Sequence, residues 1–206
     1  NNIFNPATAG VGTHTITYTV NHNGCTISTV AQITVNSLPV VSFTGIAVDY
    51  CVDAPSVLLT GNPSGGTFSG PGISGSTFDP AAAGAGTHTI TYTYTDPITG
   101  CSNTSNKTTR INPLPYLTIY GLSSSYCVED AAVSLSANPA GGTFSGPGIS
   151  GNVFNPATAG LGTHTISYSY TNTVTGCSNT LNKSVTIHSM PTVNAGPDEE
   201  TCEGAS

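Results

Sequence analysis

Internal repetition constrains this chain more than any other feature. The stretch Gly65-Gly66-Thr67-Phe68-Ser69-Gly70-Pro71-Gly72-Ile73-Ser74-Gly75 returns unchanged at 141–151, 76 positions later. A second block, Phe-(Asn/Asp)-Pro-Ala-x-Ala-Gly-x-Gly-Thr-His-Thr-Ile-x-Tyr, begins at Phe4, Phe78 and Phe154. A third, Gly-Cys before a polar alternating run, stands at Gly24-Cys25, Gly100-Cys101 and Gly176-Cys177. The link Leu38-Pro39 returns as Leu114-Pro115 and Met190-Pro191. This phasing makes 38–113 and 114–189 complete repeats, 1–37 the C-terminal part of a preceding one, and 190–206 the start of a further one. Such a unit exceeds a solenoid turn and suits a small β-sandwich that folds by itself.

Within a unit the pattern reads as strand throughout. Residues 87–95 alternate strictly, with His88, Ile90, Tyr92 and Tyr94 on one face and five threonines on the other. A period of two marks a half-buried antiparallel strand. A Thr-Asp-Pro-Ile-Thr-Gly turn leads to a second strand over 101–111, and shorter strands are expected at 40–43, 57–60 and 66–69. Gly-Pro-Gly and Asn-Pro or Asp-Pro elements read as turns. The expected fold is all-β, a tandem of Ig-like antiparallel β-sandwich domains with almost no helix.

Charge excludes several partners. Only 6% of the 206 residues are charged, with three Lys and Arg against ten Asp and Glu, a net −7; an ordinary domain carries about a quarter. Lys107, Arg110 and Lys183 cannot build a basic face, so neither a nucleic acid nor an anionic membrane surface is an expected partner. No apolar run approaches the ~20 residues of a membrane-spanning helix. With no initiator Met and no signal peptide, the chain reads as the middle of something longer, cut from a tandem array.

The Gly-Gly-Thr-Phe-Ser-Gly-Pro-Gly-Ile-Ser-Gly, Phe-Asn-Pro-Ala-Thr-Ala-Gly-x-Gly-Thr-His-Thr-Ile and Gly-Cys-Ser-Asn-Thr motifs resemble a known repeat. They are similar to the Ig-like, PKD-like repeats of very long secreted surface proteins of Bacteroidetes, including the giant adhesins of gliding flavobacteria. The resemblance spans essentially the whole chain. It implies an Ig-like β-sandwich, export across the outer membrane (typically by type IX secretion), an extracellular, cell-surface location and a stalk or adhesive role. It brings no catalytic residue and no cofactor.

Six cysteines, two per unit, in so uncharged a chain point to an oxidising setting and disulfides. Zinc fits poorly, since no Cys-x-x-Cys pair occurs. Pairing inside a unit gives Cys51–Cys101 and Cys127–Cys177, leaving Cys25 and Cys202 with partners outside the fragment. The alternative staples neighbours through Cys51 and Cys177, because a simple sandwich puts Cys51 and Cys101 at opposite ends. A self-contained repeat is the simpler design, and the first pairing is slightly favoured; the sequence leaves both open.

Candidate chemistry is sparse. The recurring Thr-His-Thr histidines, His14, His88 and His164, share a strand face with Ile and Tyr and read as structural histidines at the sandwich rim, hydrogen-bonded to backbone. A metal site needs a second ligand at fixed spacing in every unit, and His22 and His188 do not recur. Ser69 lacks a nucleophile elbow, and 65–75 lacks the helix that a phosphate cradle needs. Glu129-Asp130 is matched in the preceding unit by Asp53 alone, and Asp198-Glu199-Glu200 falls in the incomplete tail; turn carbonyls leave room only for a weak calcium site at domain junctions. Lys107 and Lys183 occupy the inward track of the last strand, where an isopeptide crosslink is conceivable and a snorkelling edge lysine commoner. The threonine face reads as a solvent face of high strand propensity, with glycan attachment or ice binding as the functional alternatives. Asn103, Asn106 and Asn182 lie in Asn-x-Ser/Thr sequons.

These observations lead to a structural repeat segment of a long extracellular surface protein, a rigid disulfide-supported stalk or filament involved in adhesion, and not an enzyme. Its expected partners are neighbouring repeats, with lateral copies in a filament and surface glycans as further candidates. The alternative is a glycan- or protein-binding module using loops at one end of each sandwich. Binding loops should differ between units, whereas here the loops are among the most alike segments.

Overall fold

The structure, a computed structural model, describes residues 3–194 and Gly196, so Cys202 and Asp198-Glu199-Glu200 lie outside the described residues. The chain divides into two compact units, 1–113 and 114–206. Strands hold 52% of the described residues and helix 6%, which makes this an all-β sandwich fold built almost wholly of antiparallel pairs.

Unit 1 opens with a helical turn α1 (Pro6–Ala9) and a long hairpin, β1 (Gly12–His22) with β2 (Cys25–Val35), antiparallel and in register from Gly12↔Val35 to His22↔Cys25. There follow β3 (Ser42–Thr44), β4 (Asp49–Cys51), β5 (Val57–Leu58), β6 (Thr60–Asn62), β7 (Thr67–Ser69), β8 (Ile73–Ser74), β9 (Thr77–Phe78), α2 (Pro80–Ala83), β10 (Gly86–Thr95) and β11 (Ser102–Asn112). One sheet runs β4-β11-β10-β7; facing strands form the pair β3-β6 and the three-stranded β5-β9-β8.

Unit 2 repeats this order. Its elements are β12 (Thr118–Tyr120), β13 (Ser125–Cys127), β14 (Val133–Ser134), β15 (Ser136–Asn138), β16 (Thr143–Ser145), β17 (Ile149–Ser150), β18 (Val153–Phe154), α3 (Pro156–Ala159), β19 (Gly162–Thr171) and β20 (Ser178–His188). Its sheets are β13-β20-β19-β16, β12-β15 and β14-β18-β17.

The alternating residues fill each core as their period demands. Ile90 and Tyr92 from β10 pack with Phe43, Leu59, Phe78 and Ile111. In unit 2, Ile166 and Tyr168 pack with Ile119, Leu135, Phe144, Phe154, Val185 and Ile187. Full burial of such a side chain stabilises by roughly 1.5–3 kcal/mol.

Three local features depart from the expected pattern. The Asn5-Pro6, Asp79-Pro80 and Asn155-Pro156 turns close as single helical turns. Asn5 Oδ1 accepts the Ala7 N–H at 3.0 Å, proline takes the first helical position, and Gly10 at φ 82° ends the turn. That combination satisfies the exposed N–H groups at minimal length. The strand expected over 57–60 is two short strands, β5 and β6, in different sheets. Finally β4 joins the sheet edge parallel to β11, pairing Asp49↔Arg110, Tyr50↔Ile111 and Cys51↔Asn112; β13 does the same with β20.

Candidate functional site

The three recurring histidines are half-buried and locked to backbone. Nε2–H of His88 donates to the Gly84 carbonyl at 2.9 Å, His14 to Gly10 at 2.9 Å, and His164 to Gly160 at 2.8 Å. Each glycine terminates the preceding helical turn. The ring thus satisfies a carbonyl that the end of a helix leaves open. Among the described residues no three His, Cys, Asp or Glu side chains converge where a metal ion could sit. Asp130 caps a turn, its Oδ2 accepting the Cys127 N–H at 2.7 Å.

The lysines have found partners of their own. Lys107 Nζ stands 5.2 Å from the centre of the Phe43 ring, a cation–π contact. Lys183 Nζ donates to the Ile119 carbonyl at 3.2 Å. Ser69 ends β7, within the strand expected there, paired across from Thr91.

The glycine-rich segment serves the core. Tyr92 Oη accepts the Gly66 N–H at 2.8 Å and donates to the Pro63 carbonyl. Tyr168 Oη accepts from Gly142 and donates to Pro139, both at 2.7 Å. In unit 2 these walls line a half-open hollow of about 120 Å³ bordered by Leu135, Gly142, Phe144 and Tyr168 among others. That is well below the roughly 300–1,000 Å³ of a ligand pocket.

The threonine face pairs with its neighbour. Hydroxyls meet across the long hairpins at Thr13–Thr34 (3.2 Å), Thr19–Ser28 (2.8 Å), Thr95–Ser102 (2.8 Å), Thr163–Thr186 (3.0 Å) and Thr171–Ser178 (2.8 Å). Such cross-strand pairs stabilise a sheet without charge. Of the sequon asparagines, Asn106 and Asn182 are exposed. Asn103 is engaged, its Nδ2 donating to the Pro39 carbonyl at 2.8 Å; Asn179 repeats the bond to Pro115 at 3.0 Å. This tie between the last strand and the link ahead of its repeat was not anticipated. The recurrence of Cys-Ser-Asn-Thr at 101–104 and 177–180 was the available signal.

The cysteines correct the favoured pairing. Cys51 and Cys177 are disulfide-bonded, whereas Cys25, Cys101 and Cys127 carry free thiols. Neither Cys51–Cys101 nor Cys127–Cys177 is formed. The reason is β11 itself: Cys51 lies across from Asn112 at its end, and Cys101 directly precedes its first residue, Ser102. At ~3.3 Å per residue the two stand roughly 35 Å apart, while a disulfide tolerates at most about 7 Å between Cα atoms.

One apolar surface stands open. Tyr18 and Ile16 on β1 are 61% and 42% exposed, whereas Tyr92 and Ile90, at the same register of β10, are 1% and 0% exposed. Ile33 and Ile27 of β2, opposite His14 and Val20, are exposed on the same face.

These features define a class: a β-sandwich whose recurring rim histidines, core tyrosines and last-strand asparagines are hydrogen-bonded to its own backbone. No protein-family model matches the chain, and no curated protein matches it. Among solved structures, a crystal structure of mouse protocadherin-24 EC1-3 matches with 13% identity over 87% of this chain and 80% of that one, at a TM-score of 0.24. A likeness that slight carries no argument. No helix among the described residues is long and apolar enough to cross a membrane.

Proposed function

We propose that the chain is a structural segment of a long extracellular surface protein: a run of disulfide-supported sandwiches forming a rigid stalk or filament in adhesion, with no catalytic role. One observation carries this reading. The segments 65–75 and 141–151 are identical, and their amides serve the core tyrosine of their own unit. A recognition module keeps its loops variable, because specificity resides there. Here the glycine-rich segment is identical in both units, and one amide of each copy is committed to its own core.

Other features support it. Disulfide-bonded cysteines fit an oxidising compartment. Few charges leave little repulsion between copies lying side by side. The motif resemblance favours a Bacteroidetes cell surface and type IX export. In this reading the natural neighbours of each unit are further units of the same kind, 38–113 and 114–189 being complete and 1–37 and 190–206 partial.

Electron microscopy of the native protein, on cells and after shearing, tests the reading. Ordered fibres with a regular helical repeat make it a filament subunit; thin separate strings make it an adhesin stalk. Compact particles with neither form overturn it.

A further inference from the structure

Each repeat carries one cysteine at either pole. Cys51 ends β4 opposite Asn112, where β11 leaves the repeat, so it marks the C-terminal pole. Cys101 precedes β11 at the other end, where Asn103 binds the Pro39 carbonyl at 2.8 Å and fixes the point at which the chain comes in. Cys101 therefore marks the N-terminal pole. Unit 2 has the same plan, with Cys127 opposite His188 and Cys177 near the Asn179–Pro115 bond.

A strand of 11 residues separates the two poles, so no repeat can close its own pair. Both positions nevertheless form disulfides, as the bonded state of Cys51 and of Cys177 shows. Cys127 is the counterpart of Cys51, and Cys25 and Cys101 are counterparts of Cys177; these three are the free thiols.

We propose that Cys127, Cys101 and Cys25 are covalent attachment points for further copies of the repeat, a C-terminal-pole thiol pairing with an N-terminal-pole thiol. The partner is thus another repeat of this type, and the pairing rule is unlike pole to unlike pole. This rests on the reading of the chain as part of an array. Each bond joins two sulfurs, and a disulfide oxidant such as oxidised glutathione takes the two electrons and two protons, becoming two thiols. Such bonds would splice the array at every junction and make it resist unravelling when one repeat opens.

The test replaces residues 190–206 by a second copy of 114–189 and refolds the chain with oxidised glutathione. Free thiols are then alkylated and the linked peptides mapped by mass spectrometry. The expected result is loss of labelling at Cys127, recovered in a linked peptide with the added copy's counterpart of Cys177. A Cys127→Ser variant of the same chain should leave that counterpart fully labelled. Circular dichroism melting establishes that both proteins are folded. A folded chain with Cys127 labelled, or with Cys127 linked to its own Cys177, overturns the proposal. Microscopy showing no fibre or string would overturn the stalk reading instead, whatever the peptide map shows.

Discussion

The phenol oxygen of Tyr92 accepts the backbone N–H of Gly66 at 2.8 Å, and a Cβ placed on Gly66 would stand 2.6 Å from that same oxygen. Gly142 and Tyr168 repeat the arrangement at 2.7 Å and 2.6 Å. Glycine is therefore required by close approach, since the Thr93 carbonyl would lie only 2.3 Å from the added carbon. Gly66→Ala should destabilise unit 1 by about 3 kcal/mol through overpacking. Tyr92→Phe should cost about 1–3 kcal/mol by orphaning the Gly66 N–H. Urea unfolding measures both, and parent-like stability for Gly66→Ala would refute the close-packing account.

The histidine bonds to Gly84 and Gly160 predict a purely structural role. His88→Ala and His164→Ala should each lower stability by about 1 kcal/mol. Chelator should leave the melting temperature of the parent unchanged. A ligand that binds only the folded state raises that temperature by mass action. A rise on adding zinc or nickel, absent in the alanine variants, would sink the structural role.

Tyr18 provides a reporter for the open face of the first hairpin. Residues 38–74 supply β3 and β6, which cover the equivalent face of β10, and β7, which extends its sheet. Placing a copy of 38–74 directly before Asn1 should bury Tyr18 and slow amide exchange along β1. Binding of a hydrophobic dye to the chain should fall with it. Unchanged exchange and dye binding would show that this hairpin is not the rear half of a sandwich.

Lys183 donates to a backbone carbonyl, so it should remain a free amine. Intact mass should show no loss of ammonia beyond ordinary deamidation controls. Lys183→Met, which keeps the apolar stem, should stay within about 0.5 kcal/mol of the parent. A crosslinked peptide containing Lys183 or Lys107 would contradict the contacts with Ile119 and Phe43.

The long strands were readable because their period is local: alternation from Thr87 to Thr95 needs no knowledge of the partner strand. The core followed from it, since Ile90 and Tyr92 had to share a face. Asp49–Cys51 was not readable, for three residues hold no period and their parallel partner lies some sixty positions away. The single helical turns fell below the length at which a helical period shows, although Asn5, Pro6 and Gly10 carry the capping signals. The cysteine geometry was half readable. Opposite poles could be anticipated from sandwich topology, but the length of β11 between them decided the matter.

The hydroxyl pairs of the long hairpins have a consequence for the medium the protein can tolerate. Among the described residues one ion pair occurs, Arg110 with Asp49 at 3.9 Å, and both side chains are exposed. Dissolved ions weaken attractions between exposed charges over a Debye length of about 10 Å at 0.1 M and much less at higher strength. Threonine and serine hydroxyls bonded across a hairpin offer them almost nothing to screen. The cohesion that these hydroxyl pairs give the hairpins should therefore be the same in fresh water, brackish water and brine.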